Sequence, residues 1–80
     1  MKKILIVRFS SIGDIVLTTP VIRCLKNSLP DSEIHYLTKS KYFDIVKNNP
    51  NVDKVHSIIN EVDEVISNLK EENFDFIVDL

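Results

Sequence analysis

The side chains with chemical potential gather at one turn, Phe9-Ser10-Ser11-Ile12-Gly13-Asp14, entered through Arg8. It holds two hydroxyls, a carboxylate and the only glycine of the sequence, beside a guanidinium. Glycine permits tight or left-handed backbone, and the start of a helix presents unpaired N–H groups. Ser10, Ser11 and the Gly13 amide could therefore receive an anion or a sugar hydroxyl. Asp14 would repel a phosphate there, yet a carboxylate suits a helix start by about 0.3–1 kcal/mol. The same spacing also fits a plain helix cap built by Asp14 with Ser10 or Ser11. The turn has neither the three glycines of a dinucleotide loop nor the Gly-Lys-Ser/Thr of a P-loop. Arg8-Phe9 stand where a receiver domain would carry its acidic pair.

Two elements must position this turn. Before it, Ile4-Leu5-Ile6-Val7 is a continuous β-branched-rich run, the pattern of a strand covered on both faces. After it, Leu17, Val21, Leu25 and Leu29 recur every four residues, with Cys24 and Ser28 in the adjoining places. Pro20 would break a continuous helix, so the pattern predicts two helical pieces, with Thr19 as N-cap and Pro20 at the first helical position. Pro30-Asp31 stops the second piece.

Glu33 to Thr38 reads as a second strand, and Ser40 as the cap of a short helix bearing Tyr42, Phe43, Ile45 and Val46. Val52 and Val55 mark a short third strand. Val62, Val65, Ile66 and Leu69 make a regular amphipathic helix, with Asn60 and Asp63 in a capping arrangement. Phe74, Phe76, Ile77, Val78 and Leu80 make a fourth strand. The β-α-β-α-β-α-β order predicts an α/β fold with a Rossmann-like parallel sheet. Ligands of such sheets bind beyond the carboxyl ends of the strands. Those ends fall at Arg8 to Asp14, Thr38 to Lys41, Ser57 to Asn60, and Asp79. An apolar final strand with nothing after it to cover it leads us to expect a longer chain.

Eighty residues, 44% hydrophobic and 28% charged, form one small soluble domain. A net charge of −2 gives no electrostatic footprint for nucleic acid. The one cysteine, Cys24, rules out an internal disulfide and reads as a small core residue in a reducing compartment. His35 and His56 stand apart with no ligand spacing around them, so no metal site is expected and both read as structural or surface histidines. No targeting peptide or membrane-length apolar run is visible, which points to the cytoplasm.

The opening Lys3-Ile4-Leu5-Ile6-Val7-Arg8-Phe9-Ser10-Ser11-Ile12-Gly13-Asp14-Ile15-Val16-Leu17-Thr18-Thr19-Pro20 closely resembles glycosyltransferase family 9, which contains the ADP-heptose:lipopolysaccharide heptosyltransferases. Pro30-Asp31 before Ile34-His35-Tyr36-Leu37-Thr38, then Asn49-Pro50-Asn51-Val52-Asp53-Lys54-Val55, and Phe74-Asp75-Phe76-Ile77-Val78-Asp79-Leu80 resemble it too. The resemblance implies a GT-B architecture, two Rossmann-like halves facing a cleft. Residues 1–80 would be part of the N-terminal, acceptor-side half, and the donor-binding C-terminal half is absent from them.

It also implies inverting transfer from a nucleotide sugar of the ADP-heptose type, without a metal or other cofactor. The acceptor would be a lipid-linked core oligosaccharide, met by peripheral association at the cytoplasmic face of the inner membrane. On this resemblance Asp14 is the candidate general base. Ser10, Ser11 and Gly13 shape the turn and touch the substrates, and Arg8 complements negative charge on them. A different reading is a flavodoxin-like module whose turn cradles a cofactor phosphate. A third takes the 80 residues as a complete non-enzymatic protein that pairs through its open sheet edge.

Overall fold

The apolar run Lys3–Val7 forms β1, followed by α1 (Ile12–Leu17), α2 (Thr19–Ser28) and β2 (Glu33–Lys39). A 3-10 turn (Ser40–Tyr42), α3 (Phe43–Lys47), β3 (Lys54–Ile58) and β4 (Phe76–Asp79) complete the order. The description comes from a computed structural model and covers residues 2–9, 12–58 and 71–79. The strands make one sheet, all parallel, in the order β3-β2-β1-β4, with Ile6 opposite both Tyr36 and Val78. The expected parallel α/β sheet is thus present. The helix read from Val62, Val65, Ile66 and Leu69, with Asn60 and Asp63 at its start, lies outside the described residues.

Alternation along the strands sends side chains to two faces. Ile4, Ile6, Ile34 and Tyr36 pack with Ile15, Ile22 and Val46 from the helices. On the other face Leu5, Leu37 and Ile58 pack with Val7, Phe9 and Phe74.

Three local expectations are corrected. Thr18, not Thr19, is the N-cap of α2, and its side chain caps nothing there because its hydroxyl turns back to the Ile15 carbonyl. Ser40 likewise makes no cap: the 3-10 turn starts after Lys39, and neither it nor α3 has a side-chain cap. Cys24 is exposed rather than core. The buried line of α2 runs through Ile22 and Leu25, and Cys24 lies about 200° around the helix from Ile22. The break at Thr18 has the same effect on the four-residue row, leaving Leu17 70% and Val21 42% exposed.

Register is fixed at the amino ends of the strands by one device used twice. Asp53, just before β3, donates its N–H to the Ile34 carbonyl (2.8 Å) and accepts the Ile34 N–H on Oδ2 (2.7 Å). Asp75, just before β4, does the same to Lys3, with both hydrogen bonds at 2.8 Å. Lys26 from α2 joins the first pin, reaching Asp53 Oδ2 at 2.9 Å and the Ser32 carbonyl at 2.6 Å. Burial works to raise the Asp53 carboxyl, but the Ile34 amide and the Lys26 ammonium outweigh it and hold the group below its ordinary value.

His35 and His56, far apart in sequence, meet here because β2 and β3 pair. His35 is fully buried, its Nδ1 lies 2.8 Å from His56 Nε2, and its Nε2 lies 2.8 Å from Glu33 Oε1. Phe74 packs edge-on against its ring. An ionised Glu33 only accepts, so His35 carries its proton on Nε2. With both rings neutral, His56 Nε2–H must then donate to His35 Nδ1. Each ring can take its place in this chain only while His35 Nδ1 or His56 Nε2 keeps a free lone pair.

Two tests follow from these contacts. Asp53→Ala removes the side-chain acceptor of the amide of buried Ile34 and should lower unfolding free energy by about 1–3 kcal/mol in urea titrations. Asp75→Ala should act in the same direction at β4. The histidine pair makes a pH prediction. Burial, reinforced by His35 and Lys54 and opposed by Glu72, depresses His56 below its ordinary value of 6.5. The unfolded chain therefore binds the proton first, so the stability is complete above pH 6.5 and is lost as pH falls through the folded value. The urea midpoint should fall as pH drops from 6.5 toward 5, and His56→Gln should flatten that fall. A wild-type midpoint that stays level across this range would overturn the assignment.

Candidate functional site

The chain leaves β1 for β2 and β3 on one side and returns to β4 on the other. The connections diverge at the carboxyl end of β1, and parallel sheets open a binding crevice at such a switch point. Arg8 and Asp14 stand there. The Arg8 N–H donates to the Leu37 carbonyl (3.1 Å), carrying the β1–β2 ladder one residue past β1. Its side chain reaches α1, and Nη2 donates to Asp14 Oδ2 at 2.7 Å. A charge-assisted bond of this length orients the carboxylate as well as neutralising it. Both side chains keep solvent access, 29% for Arg8 and 48% for Asp14. They line an open pocket of about 210 Å³ together with Leu17, Thr18 and Val21.

Gly13 corrects the sequence argument. Its φ is not positive, and it lies inside α1. A β-carbon there would meet no atom of the described residues within 4 Å. Neither backbone geometry nor packing demands glycine at this place, so its bare backbone is left facing open space. The structure thus joins Arg8, Gly13 and Asp14 on one side of the switch point. Ser10 and Ser11 lie outside the described residues.

The other strand ends contribute less. Thr38 is fully buried near the end of β2, and its hydroxyl has no hydrogen-bond partner among the described residues. Lys39 and Asp79 are exposed at the ends of β2 and β4. At the opposite edge of the sheet, Glu33, His35 and Glu72 bring three potential metal-ligand atoms within 4.8 Å of one another. Protein charges already fill that cluster. Lys3 Nζ lies 3.1 Å and Lys54 Nζ 3.7 Å from the Glu72 carboxylate, while Glu33 engages His35. Two cations therefore balance two carboxylates, and a divalent ion would have to displace them.

Sequence reasoning missed one pair beside the site. Tyr36, read only as an apolar strand residue, is fully buried with its hydroxyl 3.1 Å from Thr18 Oγ1. A signal was available: a tyrosine in a strand covered on both faces needs a partner for its O–H.

No family model matches the chain. Among curated proteins it is 31% identical over 84 aligned positions to lipopolysaccharide heptosyltransferase 1 of Campylobacter coli, covering 98% of this chain and 25% of that protein. It is 32% identical to lipopolysaccharide heptosyltransferase 3 of Escherichia coli K12, over 85% of this chain and 23% of that one. The chain thus spans about a quarter of the length of these relatives. A glycosyltransferase family 9 crystal structure from Veillonella parvula superposes with a TM-score of 0.89 at 25% identity, over 99% of this chain and 26% of that chain. The E. coli ADP-heptose lipopolysaccharide heptosyltransferase II shares the fold at a TM-score of 0.84 and 22% identity, over 99% and 24%. In sequence and in fold alike, this chain is similar to proteins of glycosyltransferase family 9 over about a quarter of their length, with lipopolysaccharide heptosyltransferases among its matched relatives.

Proposed function

We propose that these residues belong to the acceptor-side half of an inverting, heptosyltransferase-like glycosyltransferase of GT-B architecture, with Asp14 as its general base. The observation that carries this reading is the Asp14 carboxylate, oriented by Arg8 at the switch point and open to a pocket. Asp14 takes the proton of an acceptor sugar hydroxyl as that oxygen bonds to the anomeric carbon of the donor. The bond from that carbon to the nucleoside diphosphate breaks, the diphosphate leaves with the electron pair, and configuration at the carbon inverts.

The ion pair with Arg8 weakens Asp14 as a base. The tension is met by the substrate, because the attacking hydroxyl becomes far more acidic as its new bond forms. Arg8 also supplies positive charge to the pocket for an anionic group on either substrate. Ser10, Ser11 and the bare Gly13 backbone would touch substrate at the same turn. The donor, a nucleotide sugar of the ADP-heptose type, would be held by a C-terminal half beyond these residues. Written this way, the transfer takes the nucleotide sugar as substrate and uses no other cofactor. The acceptor would be a lipid-linked core oligosaccharide, reached by peripheral association at the cytoplasmic face of the inner membrane. No helix among the described residues is long and apolar enough to cross a membrane. A flavodoxin-like module is the less favoured reading, since relatives matched along nearly the whole chain are transferases.

In the full-length protein, Asp14→Asn should fold normally and lose about 10²–10⁴-fold in kcat. Near-normal transfer by a folded Asp14→Asn variant removes the base role. Gly13→Ala separates function from fold. Placed inside a helix with open space around it, alanine should leave thermal stability unchanged or raise it by up to about 1 kcal/mol. Transfer should nonetheless fall through a raised KM, and a fully active Gly13→Ala enzyme would sink the close approach of substrate to this backbone.

A further inference from the structure

Among the described residues, the helix that bears Asp14 buries little of itself. α1 spans six residues, Ile12–Leu17, and Ile15 is its one buried side chain. The next helix begins without a side-chain cap at Thr18. What fixes the end of α1 is the Ile15 carbonyl, which accepts two hydrogen bonds from Thr18. The backbone N–H lies at 3.1 Å and Oγ1 at 2.6 Å. Because the Thr18 hydroxyl spends its proton on Ile15, the Tyr36 hydroxyl must be the donor in their 3.1 Å contact. Tyr36 sits in β2, opposite Ile6 of β1, and its side chain is fully buried. Thr18 is itself 6% exposed and also forms part of the wall of the Arg8–Asp14 pocket.

We propose that Tyr36 and Thr18 are positioning residues for Asp14: a hydrogen-bond relay from Tyr36 through Thr18 to the Ile15 carbonyl sets the place of α1, and with it the angle of the carboxylate toward Arg8 and substrate. This rests on the reading of Asp14 as the base. Burial raises the Tyr36 hydroxyl above its ordinary value of 10, against the Thr18 hydrogen bond and the Arg8 charge, so Tyr36 remains a donor throughout the working pH range. Arg8 therefore acts at both ends of the relay, bonded to Asp14 and near enough to Tyr36 for its charge to be felt.

The two positions should not be equivalent. Tyr36→Phe deletes only the donor and leaves Thr18 bonded to Ile15. Thr18→Val strands the buried Tyr36 O–H and removes one of the two bonds at Ile15, which costs more. Thr18→Ser retains the hydroxyl and should rescue.

The test uses the full-length protein and reads the titration of the Asp14 carboxyl carbon by NMR, together with kcat, KM and the pH–rate profile. Tyr36→Phe and Thr18→Val should shift the Asp14 titration and the acidic limb of the profile. They should lower kcat about tenfold or more with donor KM little changed, while Thr18→Ser restores all three. An Asp14 titration unmoved in both Tyr36→Phe and Thr18→Val, with the fold intact by thermal unfolding, overturns the relay. Asp14→Asn is measured in parallel. If it remains active while Tyr36→Phe still shifts the Asp14 titration, the base assignment falls and the relay stands. If Thr18→Val merely fails to fold, the Tyr36→Phe titration decides alone.

Discussion

Everything at the candidate site depends on register between β1 and its neighbours. Side chains alternate along a strand, so a slip of one residue would carry Tyr36 to the wrong face of the sheet and take Thr18's partner away. The β1–β2 ladder holds that register, running from the Glu33 N–H on the Lys2 carbonyl (2.7 Å) to the Arg8 N–H on the Leu37 carbonyl (3.1 Å), and the aspartates at the strand starts forbid the same slip at β3 and β4. Asp53 and Asp75 each close a two-bond ring with a residue of the adjoining strand, using their own amide and carboxylate. A pleated ladder repeats every two residues, but a ring closed by a short side chain fits in one place only. From the β1–β2 register follow the juxtaposition of Ile6 with Tyr36, the seat of α1 over Tyr36, and the approach of Arg8 to Asp14.

The electrostatics divide between the two edges of the sheet. At the amino edge, carboxylates, lysines and a histidine pair neutralise one another and do structural work. At the carboxyl edge the Arg8–Asp14 pair is open to solvent on its carboxylate side and lines a pocket. Its strength is therefore more easily changed by whatever enters, because an exposed pair is softened by water and strengthened when water is excluded. A carboxylate held this way is well aimed before substrate arrives, at some cost to its basicity.

Much of this was legible in the sequence. The strands, their parallel order and the split helix around Pro20 all follow from apolar runs, proline placement and the resemblance carried by the Ser10–Asp14 motif. What escaped had physical causes. The four-residue row on α2 was misleading because Thr18 interrupts the helix, so a spacing that looks continuous in the chain is turned outward in space. Cys24 went with it. Gly13 invited an argument from backbone freedom that its ordinary φ does not support. His35 and His56 looked unrelated because strand pairing, which joins them, is invisible to local spacing. Tyr36 looked apolar because its hydroxyl finds a partner eighteen residues away.

The twin aspartate rings have a consequence for how motion is distributed. Each flanking strand is clasped to its neighbour where it begins, and among the described residues no such ring stands where it ends. Opening of the sheet therefore starts from the carboxyl ends and travels toward the clasps, as a zip parts from its loose end. Amide exchange would be graded along every strand, slow near Ile34 and faster toward Leu37 and Val78. The rim with the greatest freedom to yield is the one that bears Arg8 and Asp14, while the far rim serves as the fixed jaw of the hinge.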